Sequence, residues 1–159
     1  MPDKLMSKRM SRSKKSTTVE DIMNKKIVSI DSESTALKLS KLMAKKGVSS
    51  VVLKDGDKII GILTERDLVR NVCAADAVAS KVSAADIMST PVRSVNANSS
   101  VERAAELMVK YRVRHLAVED DYNSIVGIVT TTDIAKYIQS KLDNEVIEAQ
   151  IMEALSATD

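Results

Sequence analysis

The sequence predicts an α+β fold in which one β-α-β-β-α unit occurs twice in tandem, the two copies packed as a sandwich with pseudo-twofold symmetry. Three observations carry this. Asp21-Ile22-Met23 returns as Asp86-Ile87-Met88, sixty-five residues on, and Leu42-Met43 returns as Leu107-Met108 at the same offset. After one inserted residue, Gly61-Ile62-Leu63-Thr64-Glu65-Arg66-Asp67 returns as Gly127-Ile128-Val129-Thr130-Thr131-Thr132-Asp133. Within each copy the apolar period switches between helical and extended, and the extended runs are too continuously apolar for one face to meet water. A chain of 159 residues has the size of one ordinary domain. The copies are therefore read as sharing a core, not as independent units.

The elements follow in order. A short helical turn opens each copy at Val19 and Ala84, and brief extended segments follow at 27–30 and 92–95. Ala36, Leu39, Leu42 and Met43 then mark the apolar stripe of a helix, repeated by Val101, Ala104, Leu107 and Met108. Ser99 with Glu102 three residues later reads as the capping box of the second of these helices. Strands are expected at 48–53 and 58–63, joined across Asp55-Gly56, with counterparts at 113–118 and 124–129. A further helix opens at Thr64 and at Thr130. The organisation expected is a basic tail over 1–17, a first repeat over 18–70, an Ala-rich linker over 71–82 and a second repeat over 83–138. An amphipathic helix and tail fill 139–159; its stripe of Ile138, Leu142, Val146 and Ala149 is expected to dock on the domain or on a second subunit.

Composition narrows the function. Phe and Trp are absent and Tyr occurs three times, so the core must be built from Ile, Val, Leu, Met and Ala. No apolar run approaches the ~18 residues of a membrane span, and the N-terminus lacks the apolar stretch of a signal peptide. The single cysteine, Cys73, fits a reducing cytoplasm and forms no internal disulfide. One histidine and one cysteine supply neither a zinc set nor a Cys/His nucleophile, so an enzyme is not expected. The net charge of +2 divides unevenly: six Lys and Arg against Asp3 give residues 1–17 a charge of +5, leaving −3 elsewhere. Such a tail is either a solubilising, poorly ordered terminus or a phosphate-neutralising arm for nucleic acid.

Both copies place Thr and Asp three apart directly after a buried-looking strand. One reading is a helix cap, with Thr at the N-cap and the acid three residues on. The other is a ligand site: a helix N-terminus offers N–H groups to an anion, and the Asp accepts hydrogen bonds from a diol. The glycine three residues before each Thr permits close approach of another group.

The duplicated Asp-Ile-Met start, the Val-x-Ser-Val segment, the Arg-His-Leu-Ala-Val strand and the Gly-Ile-Val-Thr-x-x-Asp close together resemble a pair of CBS domains, a Bateman module. The likeness covers about 18–138. It implies a stand-alone regulatory module that binds AMP, ADP, ATP or S-adenosylmethionine between the copies, pairs into a flat homodimer, and controls a partner protein. Carried over by residue, one cleft sets Thr64 and Asp67 against Val92, Arg93, Val113 and Arg114, with Ile62 packed on adenine. Asp67 would hold the ribose hydroxyls, Thr64 a phosphate oxygen, and the Val92–Arg93 backbone the adenine edge. The other cleft sets Thr130 and Asp133 against Ile27, Val28, Val48 and Ser49, with Ile128 on the base.

The clefts are unequal, because the first gains Arg112, Arg114 and His115 while the second has Lys45, Lys46 and then Ser49-Ser50. Arginine presents a planar fork to phosphate, which favours the first cleft. Those residues equally fit a solvated strand mouth, and strand alternation sends Arg114 and His115 to opposite faces. Arg66 is a further candidate phosphate contact, whereas Met23 and Met88 read as core filler. The reading that results is a cytoplasmic adenine-nucleotide sensor. The alternative is a nucleic-acid-associated regulator that uses the basic tail, with the repeat pair as its switch.

Overall fold

Two three-stranded sheets, one per repeat, lie at the centre of the computed structural model, which describes residues 16–156. The first repeat runs α1 (Val19–Ile22), β1 (Ser29–Asp31), α2 (Ala36–Lys46), β2 (Ser50–Asp55), β3 (Lys58–Thr64) and α3 (Glu65–Leu68). A π-helical stretch over Val69–Cys73 prolongs α3. The second runs α4 (Ala84–Ile87), β4 (Ser94–Asn96), α5 (Val101–Tyr111), β5 (His115–Glu119), β6 (Ile125–Thr130) and α6 (Thr131–Ser156). In each sheet the short first strand pairs parallel with the second, and the second pairs antiparallel with the third. The predicted α+β order therefore stands, twice.

Local chemistry moved several boundaries. Gly47 ends α2 at φ +63, and both its N–H and that of Val48 donate to the Met43 carbonyl. The chain reaches extended geometry only at Ser50, two residues later than expected. The cap of α5 is Ser100, whose Oγ accepts from the Arg103 N–H at 3.1 Å, and not Ser99. The Ser99 carbonyl is already committed to the Val19 N–H at 2.9 Å, which leaves the next serine to cap. The first hairpin turns on Gly56-Asp57, with Gly56 at φ +57. Its counterpart absorbs the extra residue through Asn123 at φ +60, while the Asp120 carboxylate accepts from the Tyr122 and Ser124 N–H groups, each at 2.9 Å.

The opening turns cross over. Val19 is fully buried, and its cluster is otherwise made of second-repeat residues, among them Val101, Leu107, Leu116 and Val129. Ala84 is likewise buried among Leu39, Val51, Leu53 and Leu63 of the first repeat. Matching hydrogen bonds fix both exchanges: Val19 N–H to Ser99 O and Ala84 N–H to Ser34 O, each 2.9 Å. Two further pairs continue them, Asn24 with Ile128 and Ser89 with Ile62, each exchanging N–H and C=O in both directions at 2.9–3.2 Å. Met88 thereby lies over Gly61, and Met23 over Gly127, where a Cβ would stand 2.5 Å from the Met23 sulfur. Both methionines are core filler, and they are the groups that the two glycines admit. Between the sheets a third cluster joins Val52 and Ile62 to Ala117 and Ile128.

Of the two surfaces expected to cover the C-terminal stripe, the domain and a second subunit, the domain does not cover it. α6 runs unbroken for 26 residues, about 39 Å at 1.5 Å per residue. Only its first turns meet the core, through Ile134 and Tyr137. Ile138, Leu142 and Val146 are 52%, 56% and 57% exposed, because the helix outruns the domain surface available to it.

Candidate functional site

Two clefts open where the repeats meet, each walled by both. The larger, about 310 Å³, is lined from the first repeat by Ile62, Thr64, Glu65, Arg66, Asp67 and Arg70. Arg112, Val113, Arg114 and His115 face them from the second. The smaller, about 250 Å³, sets Ile128, Thr130, Thr132 and Asp133 against Val28, Val48, Ser49 and Ser50. Ser49, Thr130 and Thr132 line both, so the clefts share a wall.

At each mouth the Thr-x-x-Asp motif forms a closed cap. The Thr64 N–H and Oγ1–H both donate to Asp67 Oδ2 at 2.8 Å, and the Asp67 N–H returns to Thr64 Oγ1 at 3.4 Å. Thr130 and Asp133 repeat this at 2.8, 2.7 and 3.2 Å. The capping reading of the motif is thus realised, and it does not exhaust the carboxylate. Among the described residues Oδ1 of each Asp accepts no hydrogen bond, and both aspartates remain half-buried beside a cleft. A ribose diol needs an acceptor held in place in this way.

Arg114 and His115 line the same cleft, contrary to the alternation argument, because β5 begins only at His115 and Arg114 precedes it in a bend. His115 Nε2 meets Ser49 Oγ at 2.9 Å across the repeat boundary. Burial holds the His115 pKa below its ordinary 6.5, and the Arg114 charge adds to this. Glu65, Asp133 and Asp67 act the other way.

Five expected residues lie elsewhere: Lys45 and Lys46, exposed in the last turn of α2 and lining neither cleft, and Val92, Ile27 and Arg93. Val92 and Ile27 pack half-buried on the central inter-sheet cluster and line neither cleft. Arg93 commits its carbonyl to the Ala117 N–H at 3.0 Å and its guanidinium to the Tyr111 ring, 4.4 Å from the centroid. Conversely, Arg70, Ser89, Thr131 and Glu65 line the larger cleft, and Asn24, Lys26, Gly47 and Val52 the smaller, without having been singled out. Three of these carried a signal. Arg70 stands one helical turn after Arg66, and Ser89 and Asn24 are the polar residues that follow Met88 and Met23 in the repeat.

The two-repeat architecture with inter-repeat clefts is shared by known proteins. The CBS domain family model matches residues 19–74 and 84–140, so the chain belongs to the CBS domain family and carries two copies. An uncharacterised protein of Methanopyrus kandleri is 34% identical over 140 residues, 86% of this chain and 71% of that protein. A solved structure described as a signal-transduction protein with CBS domains from Burkholderia ambifaria is 31% identical, with TM-score 0.73 over 77% of this chain and 93% of that one. The CBS domain pair of protein MJ0100, solved with 5′-methylthioadenosine and S-adenosyl-L-methionine, is 28% identical, with TM-score 0.70 over 79% of this chain and 98% of that one. A CBS pair is a regulatory module. Among the described residues no group of three or more His, Cys, Asp or Glu is placed to hold a metal ion, and no helix is long and apolar enough to cross a membrane.

Proposed function

We propose that the chain is an adenosine-ligand sensor that binds an AMP-, ADP- or ATP-type ligand between its repeats and passes the binding state to a partner protein. The observation that carries this reading is the pair of capped aspartates, each with one carboxylate oxygen uncommitted at the mouth of a cleft walled by both repeats. Asp67 and Asp133 hold ribose hydroxyls, Ile62 and Ile128 pack on the base, and Thr64 with the neighbouring arginines meets the phosphate. Because each ligand touches both repeats, it favours the packing in which those walls close best. A partner that prefers the same packing reads that shift. The adenosine ligands of the MJ0100 pair support the ligand class. The working unit is a homodimer paired through exposed helical surface.

Calorimetric titration with AMP, ADP, ATP, S-adenosylmethionine and GTP tests this. Saturable binding of at least one adenosine compound, with GTP weaker, is expected. Binding of none of the five removes the sensor reading and leaves a scaffold.

A further inference from the structure

Arg112 closes α5 in the left-handed region at φ +54. At the equivalent place in the first repeat stands Gly47, at φ +63. Helices often end in this conformation, and glycine adopts it without steric cost. The second repeat thus holds a long cationic residue where its own twin shows the backbone prefers none. Non-glycine residues in that region concentrate where the side chain is needed.

The cleft that Arg112 lines holds three further arginines, Arg66, Arg70 and Arg114. Their repeat counterparts are Thr132, Lys136 and Ser49, and of these only Thr132 and Ser49 line the smaller cleft. Four arginines therefore face Glu65 and Asp67 in the larger cleft, while Lys26 alone faces Asp133 in the smaller. Among the described residues none of the four guanidiniums makes an ion pair, a side-chain hydrogen bond or a ring contact. Arg93 and Arg103, outside the clefts, are both engaged, with Tyr111 and Glu106. Unpaired like charges gathered in one concavity repel one another and are stabilised by a ligand of opposite charge.

We propose that Arg112 is a specificity-determining residue that sets the charge of the ligand. With Arg66, Arg70 and Arg114 it makes the larger cleft a site for a nucleoside carrying a chain of two or three phosphates. The smaller cleft takes an adenosine ligand of little net charge. A planar guanidinium fork matches successive phosphate oxygens, and the same cluster repels a sulfonium or ammonium group. This rests on the reading of both clefts as adenosine sites.

The test titrates the full chain with adenosine, AMP, ADP and ATP at low and high salt, as wild type, Arg112→Gly and Arg112→Asn. Glycine restores the residue of the other repeat, and asparagine tolerates positive φ, so both variants fold. In the wild type, affinity should rise from adenosine to ATP by about a hundredfold and fall steeply with salt, as charge-assisted contacts do. Each variant should lose about tenfold toward ATP and less than about twofold toward adenosine, with a melting temperature no lower than wild type. An ATP-to-adenosine affinity ratio that is near one, or that the variants leave unchanged, overturns the proposal while leaving the adenosine reading in place. Binding of neither adenosine nor any phosphorylated form overturns both.

Discussion

On the proposed reading Asp67 has two tasks for its two oxygens. Oδ2 closes the cap of α3, Oδ1 accepts no hydrogen bond among the described residues, and the residue lines the cleft, so replacing it should show in two measurements at once. Asp67→Ala is expected to cost about 1 kcal/mol of stability as a lost cap. It should also weaken adenosine-ligand binding by ten- to a hundredfold, since a hydrogen bond to a charged acceptor contributes ~1.5–3 kcal/mol. Asp21 provides the control: it forms the same box with Thr18, at 2.8 and 3.0 Å, and lines neither cleft. Asp21→Ala should lower the melting temperature and leave calorimetric affinity intact. His115 makes a second residue-scale prediction. Its native pKa lies below the unfolded value of 6.5, so the unfolded chain takes up the proton first. The contribution to stability is complete above pH 6.5 and is lost as the pH falls toward the native pKa. Melting curves in that interval should drop with acidification, and His115→Gln should flatten this part of the profile.

At the scale of elements, the glycines of β3 and β6 are held by methionines of the opposite repeat. The three atoms nearest a methyl group at Gly61 all belong to the Met88 side chain, whereas those nearest one at Gly127 include the Asn24 carbonyl oxygen at 3.0 Å. Both alanine variants should destabilise, by roughly 1–3 kcal/mol as overpacking does, with Gly127→Ala the worse. In thermal double-mutant cycles Met88→Ala should relieve Gly61→Ala more fully than Met23→Ala relieves Gly127→Ala, because backbone does not step aside. α6 carries a further expectation. A stop after Ser140 removes Leu142 and Val146, already more than half exposed, and should leave the melting temperature of a lone chain nearly unchanged. Light scattering should show a lower mass if that stripe joins two subunits; an unchanged mass rejects the helix as the interface. The order of elements, the stripe of each helix and both Thr-x-x-Asp junctions were legible because they follow from local period and from the repeat itself. The opening turns were not, since neighbours in sequence are assigned to the same repeat and nothing local says that Val19 is buried beside Leu116. The stacking of the Arg93 side chain on Tyr111 was not legible for the same reason: the two stand eighteen residues apart. Arg112 was named among the cleft cations, and its left-handed position was also within reach, as the offset of sixty-five sets it on Gly47.

For the molecule as a whole, the net positive charge is concentrated in the tail, of which 1–15 lie outside the described residues. If that tail contacts nucleic acid, deleting 1–17 should abolish duplex binding, and the full chain should show a steep decline in affinity with salt. Duplex binding that survives the deletion rejects the tail as the contact.

The crossed opening turns also bear on how this chain can change over time. Each repeat is completed by a piece encoded sixty-five residues away, at the head of its twin. Losing one half would withdraw a plug from the other, so neither half is expected to fold by itself. A single cooperative transition should be seen by calorimetry. Fragments cut within 74–82, between the repeats, should stay joined as a non-covalent pair. Both exchanged turns carry Asp-Ile-Met, whereas at the clefts Arg66, Arg70, Arg112 and Arg114 stand opposite Thr132, Lys136, Gly47 and Ser49. The duplicated halves thus make one body with two mouths, clasped through the turns they exchange.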